Sequence, residues 1–282
     1  MPAGPPLELV AELRRAGCVF AEDEAALLVE AAESPEVLNG LVRRRISGTP
    51  LEYILGWTEF CGLRIPVSEG VFVPRRRTEF LVRVAAAQLF KDATIVDMCC
   101  GSGAVGVALA ARSQSIHLHA VDIDPVCVRC AKTTVDAVGG TVHQGDLFDP
   151  LPRSMCGLVD LVVANAPYVP TDEIDLMPTE ARLHEPRAAL DGGSDGLEIQ
   201  RRLIAEAPNW LTPGGHLFIE TSEKQSTATE TLCRKSGMET EPTHTSEFGT
   251  SVVVARANHD ATPADFNSCN CAPHCETQHR RT

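Results

Sequence analysis

At 282 residues, 44% hydrophobic and 22% charged, the chain has room for one large α/β unit and a small accessory one, and its composition excludes a fibrous or wholly disordered protein. The formal net charge of −13 repels phosphate backbones, so direct binding to long nucleic acid is not expected. No apolar run approaches the roughly 18 to 20 residues that span a bilayer, and Met1-Pro2-Ala3-Gly4-Pro5-Pro6 lacks the features of a secretory signal, so a cytoplasmic protein with reduced thiols is expected.

Taken in chain order, Leu7, Val10, Ala11 and Leu13, then Ala25, Ala26, Leu28 and Val29, then Val37, Leu38, Leu41 and Val42 recur at helical spacing and predict three short amphipathic helices. Gly17 can end the first, and Ser34-Pro35 can open the third as N-cap and first helical residue. This helical unit, residues 1–47, is too small to be comfortably stable alone and is expected to pack on its neighbour. Arg43, Arg44 and Arg45, with Arg64 and Arg75, Arg76 and Arg77, read either as a solvated helix face and loop or as a docking surface for an acidic or RNA-associated partner. Over residues 48–74 the short runs Tyr53-Ile54-Leu55 and Leu63-Arg64-Ile65-Pro66-Val67, punctuated by Gly56, Gly62 and Gly70, predict a β-hairpin connector.

Residues 75–257 then alternate between helix and strand. A helix is expected over 79–90 and strands over 94–98, 116–121, 141–144, 160–164, 216–220 and 251–255, with helices over 104–111, 125–138, 197–210 and up to about 236. Apolar strands separated by helices imply an α/β fold with a mostly parallel, doubly wound sheet, whose ligands bind beyond the carboxyl ends of the strands. The tail, 258–282, carries zinc-type ligands in Cys269, Cys271, His274, Cys275 and His279, but its polar composition reads as disorder. Cys127 and Cys130 form a single Cys-x-x-Cys without a second pair and read as small buried hydrophobes. No metal site is expected, and His143, His184 and His216 are given packing or surface roles.

The first strand of this alternation runs into Asp97-Met98-Cys99-Cys100-Gly101-Ser102-Gly103-Ala104 and straight on into a helix. Glycines at such a turn let backbone approach a ligand and leave helix N-terminal N–H groups free to donate. Gly101-x-Gly103-x-x-Gly106 with Asp122 also matches a dinucleotide fingerprint. The carboxylates decide between the two. Asp97 would face the cationic end of a sulfonium cofactor, Asp122 could accept both ribose hydroxyls, and Asp146 stands beside the apolar pair Leu147-Phe148, suited to flank an adenine. A pyrophosphate would be repelled by Asp97, so S-adenosyl-L-methionine is favoured over NAD.

The fourth of these strands runs out into Asn165-Ala166-Pro167-Tyr168. Asn165 offers a side-chain carbonyl, Ala166 a backbone one, and Pro167 stiffens the turn that aims both. Two acceptors converging on one NH₂ group hold it and raise electron density on nitrogen, while Tyr168 can stack on a flat amide or base. This suits methyl transfer to a planar nitrogen, either a glutamine amide or, as the alternative, the N6 of a flipped adenine.

At this point the chain resembles the protein-(glutamine-N5) methyltransferases of the HemK type, which modify the glutamine of the Gly-Gly-Gln loop in peptide chain release factors. The resemblance rests on Asn165-Ala166-Pro167-Tyr168, on Gly48-Thr49-Pro50-Leu51-Glu52-Tyr53-Ile54-Leu55-Gly56, Phe60-Cys61-Gly62-Leu63 and Val73-Pro74-Arg75 with Thr78-Glu79, and on His184-Glu185-Pro186-Arg187-Ala188-Ala189-Leu190-Asp191-Gly192-Gly193 with Asp195-Gly196-Leu197. It implies a seven-stranded, Rossmann-like S-adenosyl-L-methionine-dependent methyltransferase sheet and a helical N-terminal domain that recognises a protein substrate. It also implies cofactor contacts from Cys99, Cys100, Gly101, Ser102, Gly103, Asp122, Leu147 and Asn165, and a glutamine held by Asn165 to Tyr168. The partner expected is a release factor or another translation protein, and the protein itself is expected to be a monomer. Two residues depart from the family pattern, Ala166 where it usually has proline and Cys99 where it usually has glycine; a cofactor-binding scaffold without activity is the reading these departures leave open.

Overall fold

The computed structural model describes residues 5–246 and 249–258. The Cys/His tail lies outside them. The chain opens with helices α1 (Leu7–Arg15), α2 (Ala21–Ala31) and α3 (Pro35–Ile46). Gly17, at a φ of 97°, turns the chain after α1, and the Ser34 side chain accepts from the Val37 N–H with Pro35 as first helical residue, as expected. Leu13, Ala21, Ala25, Leu28 and Val42 close a small core of their own.

Residues 53–55 depart from the β-like reading. They lie in a helical turn, α4 (Leu51–Leu55), ended by Gly56 in the left-handed region. Ile54 completes the N-terminal core, whereas Tyr53 packs the other way with Val67, Val71, Val73 and Cys127, its hydroxyl donating to the Val71 carbonyl at 2.6 Å. A helix serves both cores because neighbouring side chains point about 100° apart, and one turn of it joins the two packed units. The hairpin follows as β1 (Trp57–Phe60) and β2 (Leu63–Pro66). Its two-residue loop, Cys61-Gly62, has φ of 52° and 76°, the sign that a type I′ turn requires at both positions.

Part of the basic patch is paired with carboxylates in place. Arg45, 12% exposed, pairs with Glu24 at 2.6 Å and with Glu180 at 3.3 Å, Arg44 with Glu69 and Arg64 with Glu30. Arg64 also lies 4.1 Å over the Trp57 ring.

After α5 (Glu79–Ala86) come β3 (Ala93–Met98), α6 (Ala104–Ala110), β4 (Ile116–Asp122), α7 (Pro125–Val135), β5 (Thr141–Gln144) and β6 (Val159–Ala164). A short helix, α8 (Thr179–His184), precedes α9 (Glu198–Trp210), β7 (Leu211–Ser222), α10 (Glu223–Lys235), β8 (Glu239–Thr240), β9 (His244–Thr245) and β10 (Thr250–Arg256). Seven strands follow one another as β5-β4-β3-β6-β7-β10-β8, and β9 adds an eighth against β10. β5 to β7 are parallel, and β10 is antiparallel to β7, β8 and β9.

Strand side chains alternate between two buried layers. Ile95, Leu118, Leu161, Val163 and Phe218 meet α5, α6 and α7, while Val96, Met98, Val162, Leu217 and Ile219 meet α9 and α10. Both faces are covered, which is why these strands read as continuous apolar runs. The chain winds outward from β3 to β5 and restarts on the other side of β3 with β6. That reversal leaves a crevice at the carboxyl ends of β3 and β6. No helix of the described residues is long and apolar enough to cross a membrane.

Candidate active site at the carboxyl ends of the strands

Beyond β3 the backbone enters the left-handed region at alternate residues, Cys99 (φ 56°), Gly101 (φ 56°) and Gly103 (φ 77°). Cys99 holds a conformation that costs an ordinary L-residue roughly 1–2 kcal/mol. The strain is offset locally, since the Cys100 N–H donates to the Val121 carbonyl at 3.0 Å and the Gly103 N–H to the Cys100 carbonyl at 2.8 Å. Gly103 does not face the crevice. A Cβ there would lie 2.8 Å from Val135 Cγ2, so its part is to let α6 start against α7. Gly106 plays the same role against β3 and β4, its absent Cβ facing Leu118 Cδ1 at 2.8 Å and Asp97 Oδ2 at 3.0 Å.

Asp97 is buried and accepts the Gly106 N–H at 2.8 Å. Burial pushes its carboxyl up to about 7, aided by the nearby Asp122 and opposed by the Gly106 N–H. Asp122 is held from both sides, Oδ2 by the Gly101 N–H at 2.8 Å and Oδ1 by the Asp124 N–H at 2.9 Å. Each oxygen keeps a lone pair for a further donor. Asp146 makes a 2.5 Å ion pair with Arg202 on α9.

The apolar pair expected beside Asp146 separates. Leu147 (φ 45°) faces the cavity, but Phe148 turns into the core and stacks on Trp210 with ring centroids 5.4 Å apart. Only Leu147 can border a ligand. The left-handed backbone at Leu147 turns the chain between the two side chains, and Trp210 gives Phe148 a buried ring to stack on.

Asn165-Ala166-Pro167-Tyr168 leaves β6 across the crevice from the glycine loop, and all four line the same cavity of about 230 Å³ as Asp97, Cys99, Cys100, Gly101, Ser102, Asp122, Asp146 and Leu147. Ala166 is 1% exposed. The turn is anchored from behind. Gln225 Nε2 on α10 donates to the Tyr168 carbonyl at 2.9 Å, the Val169 N–H donates to the Leu190 carbonyl at 3.0 Å, and the Gly192 N–H returns to the Val169 carbonyl at 2.8 Å.

Further residues complete the walls. Phe72, Pro74 and Arg75 reach in from the segment after the hairpin, and Pro186 and Leu190 from the segment before α9. These two segments are tied by an ion pair between Arg75 and Glu185, whose carboxyl is nearly fully buried. Sequence reading placed Arg75 and Glu185 in the quoted motifs without roles. Thr78 was quoted there in the same way, and Gln225 and Glu220, neither of which stands in a strand-end turn, were missed. Glu220 alone left a signal, a carboxylate closing an otherwise apolar strand. His143, His184 and His216 do not line the cavity, and no cluster of three or more metal-ligating side chains occurs among the described residues.

The methyltransferase small domain family model matches residues 63–249. A release factor glutamine methyltransferase from Geobacter sulfurreducens is 41% identical over 192 residues, which cover 66% of this chain and 66% of that one. Another from Gloeobacter violaceus is 39% identical over 209 residues, covering 71% of this chain and 72% of that one. Among solved structures, a ribosomal protein L11 methylase from Lactobacillus delbrueckii subsp. bulgaricus superposes with a TM-score of 0.51 at 16% identity, over 69% of this chain and 86% of that one; this is a likeness of fold.

Proposed function

The chain belongs to the methyltransferase small domain family and to the release factor glutamine methyltransferases, and from that premise we propose that it methylates the side-chain amide nitrogen of a glutamine in a Gly-Gly-Gln loop of a release factor, acting as a monomer. The observation that carries this reading is the Asn165 amide, seated at the carboxyl end of β6 with its Nδ2 turned to Thr78 and its Oδ1 left as an acceptor.

The chemistry of the walls fits S-adenosyl-L-methionine. Asp97 suits a cationic ammonium, Asp122 the ribose hydroxyls and Leu147 an adenine face, while Gly101 and Ser102 supply the backbone wall beside them. When bound, this cofactor supplies an electrophilic methyl group on a sulfonium. The protein's part is to hold the acceptor. Asn165 Oδ1 and the Ala166 carbonyl take the two N–H groups of the glutamine amide, and Tyr168 stacks on its plane. Both hydrogen bonds strengthen as the nitrogen gains positive charge, and the proton departs afterwards without a strong general base. Ala166 supplies its carbonyl as proline would, so its presence leaves the acceptor set intact.

Mass spectrometry of a purified release factor after incubation with the protein and methyl-labelled S-adenosyl-L-methionine is expected to place one methyl group on the Gly-Gly-Gln glutamine. Label on another protein would discard the substrate and keep the chemistry. Label on nucleic acid alone would replace the reading with adenine methylation.

A second expectation concerns Asp97. Its carboxyl is raised to about 7 in the folded chain, and a bound cation favours the ionised form. Binding then releases a proton below that value, and affinity rises with pH. Calorimetric titration is expected to give a cofactor Kd about tenfold weaker at pH 6 than at pH 8. The Asp97→Asn variant is expected to bind more weakly at pH 8 and to lose this slope; a slope that survives the substitution would assign the proton elsewhere.

A further inference from the structure

Asn165 and Glu220 are neighbours across the sheet. Ala164 of β6 pairs with Ile219 of β7, and each is followed by the residue in question. Thr78 bridges them, its Oγ1 lying 3.3 Å from Asn165 Nδ2 and 3.2 Å from Glu220 Oε1. Thr78 is 3% exposed and Glu220 is fully buried, with Oε2 lacking any hydrogen-bond partner. A buried carboxylate with one oxygen unpartnered is costly.

A threonine hydroxyl has one proton. If it goes to Glu220, Oγ1 can only accept from Asn165, so Nδ2 must face Thr78 and Oδ1 must face away from it. If Glu220 donates instead, Thr78 gives its proton to Asn165 and the amide turns over, presenting NH₂ to the cavity. We propose that Thr78 and Glu220 are positioning residues that set the polarity of the Asn165 amide and so decide whether the cavity offers an acceptor or a donor to the substrate nitrogen. The proposal rests on the reading of Asn165 as the acceptor of the substrate N–H.

The surroundings let the relay respond to pH. Burial pushes the Glu220 carboxyl up to about 7, and Arg77 opposes the shift. Tyr168 is the other titratable group in its field. On β10 it faces the apolar Val252. On α5, Glu79 accepts the Cys61 N–H at 2.9 Å and Arg83 lies over the Phe80 ring.

The test uses the ¹⁵N-labelled full chain, with the Asn165 side-chain amide signal identified by its loss in Asn165→Ala. In an Asp97→Asn background, which removes the other cavity carboxyl raised to about 7, that signal is expected to shift between pH 6 and 8 and to stay constant once Glu220→Gln is added, whose amide keeps an acceptor toward Thr78 at every pH. In Thr78→Val, kcat for methyl transfer is expected to fall about tenfold, the value of one lost hydrogen bond, with cofactor Kd within about twofold; Thr78→Ser is expected to recover most of it. Should Glu220→Gln fail to fold, the Thr78 pair still decides. An amide signal indifferent to both pH and Thr78→Val, a Thr78→Val variant with wild-type kcat, or a Thr78→Ser variant no better than Thr78→Val would each overturn the proposal. A responsive amide in a protein that methylates no glutamine would sink the functional reading and leave the relay standing. Glutamine methylation with an unresponsive amide would do the reverse.

Discussion

Asn165→Ala is expected to lower the rate of methyl transfer by roughly 5- to 150-fold, the equivalent of about 1 to 3 kcal/mol. The side chain removed makes one described hydrogen bond, to Thr78 at 3.3 Å, and the residue is half-buried at the end of β6, so the fold loses little. On the proposed reading, what is lost is one of the two acceptors that orient the substrate NH₂, whose contribution grows as the nitrogen becomes cationic. Single-turnover kinetics with saturating cofactor therefore fall more steeply than cofactor affinity does. Asn165→Asp is expected to be no better. It keeps the shape but sets a carboxylate against Thr78, whose proton is already directed to the buried Glu220. A turnover number unchanged in the alanine variant would remove Asn165 from the site's chemistry.

The parts of this site that were legible in the sequence are those whose chemistry is local. Asp97, Gly101, Asp122 and Asn165 each stand where a strand stops, and the reversal between β5 and β6 brings all of those ends to one crevice. Ser34-Pro35 likewise declares a cap within a few residues. Elsewhere the deciding partner is far along the chain. Tyr53 takes its place in a helix because Val71 and Cys127 bury it, and Phe148 leaves the cavity for Trp210. The Thr78–Glu220 contact spans 142 positions. The sequence pattern shows strand β7 only from His216, because Pro213-Gly214-Gly215 breaks the apolar run. The strand starts at Leu211, and an irregularity lets Val159 pair with Leu211 and Leu161 with His216. Periodicity cannot register a bulge whose partner is another strand.

Gly196→Ala is expected to be the most damaging small substitution in the segment between the acceptor turn and α9. Gly196 has a φ of 72°, and a Cβ there would sit 2.3 Å from the Tyr168 carbonyl oxygen and 2.3 Å from Gln225 Nε2. The glutamine side chain could swing aside, but only by giving up its bonds to the carbonyls of Tyr168 and Asp195 at 2.9 and 3.2 Å. The Tyr168 oxygen is backbone and cannot yield without moving the turn that carries Asn165 to Tyr168. Displacing a catalytic group by about 1 Å can cost on the order of 100-fold in rate, and that loss in kcat is the expected result. Gly237→Ala separates the two causes, because its φ of 85° imposes similar backbone strain with nothing within 4 Å of the added carbon. That control is expected to lower the melting temperature by a few degrees, as about 1–2 kcal/mol of strain does in a domain of this size, and to keep wild-type kcat. If Gly196→Ala, assayed well below its own melting temperature, behaves like the control, then the Tyr168 carbonyl tolerates displacement. In that case the acceptor turn is held by Asn165 and its Thr78 contact rather than by the glycine segment packed behind it.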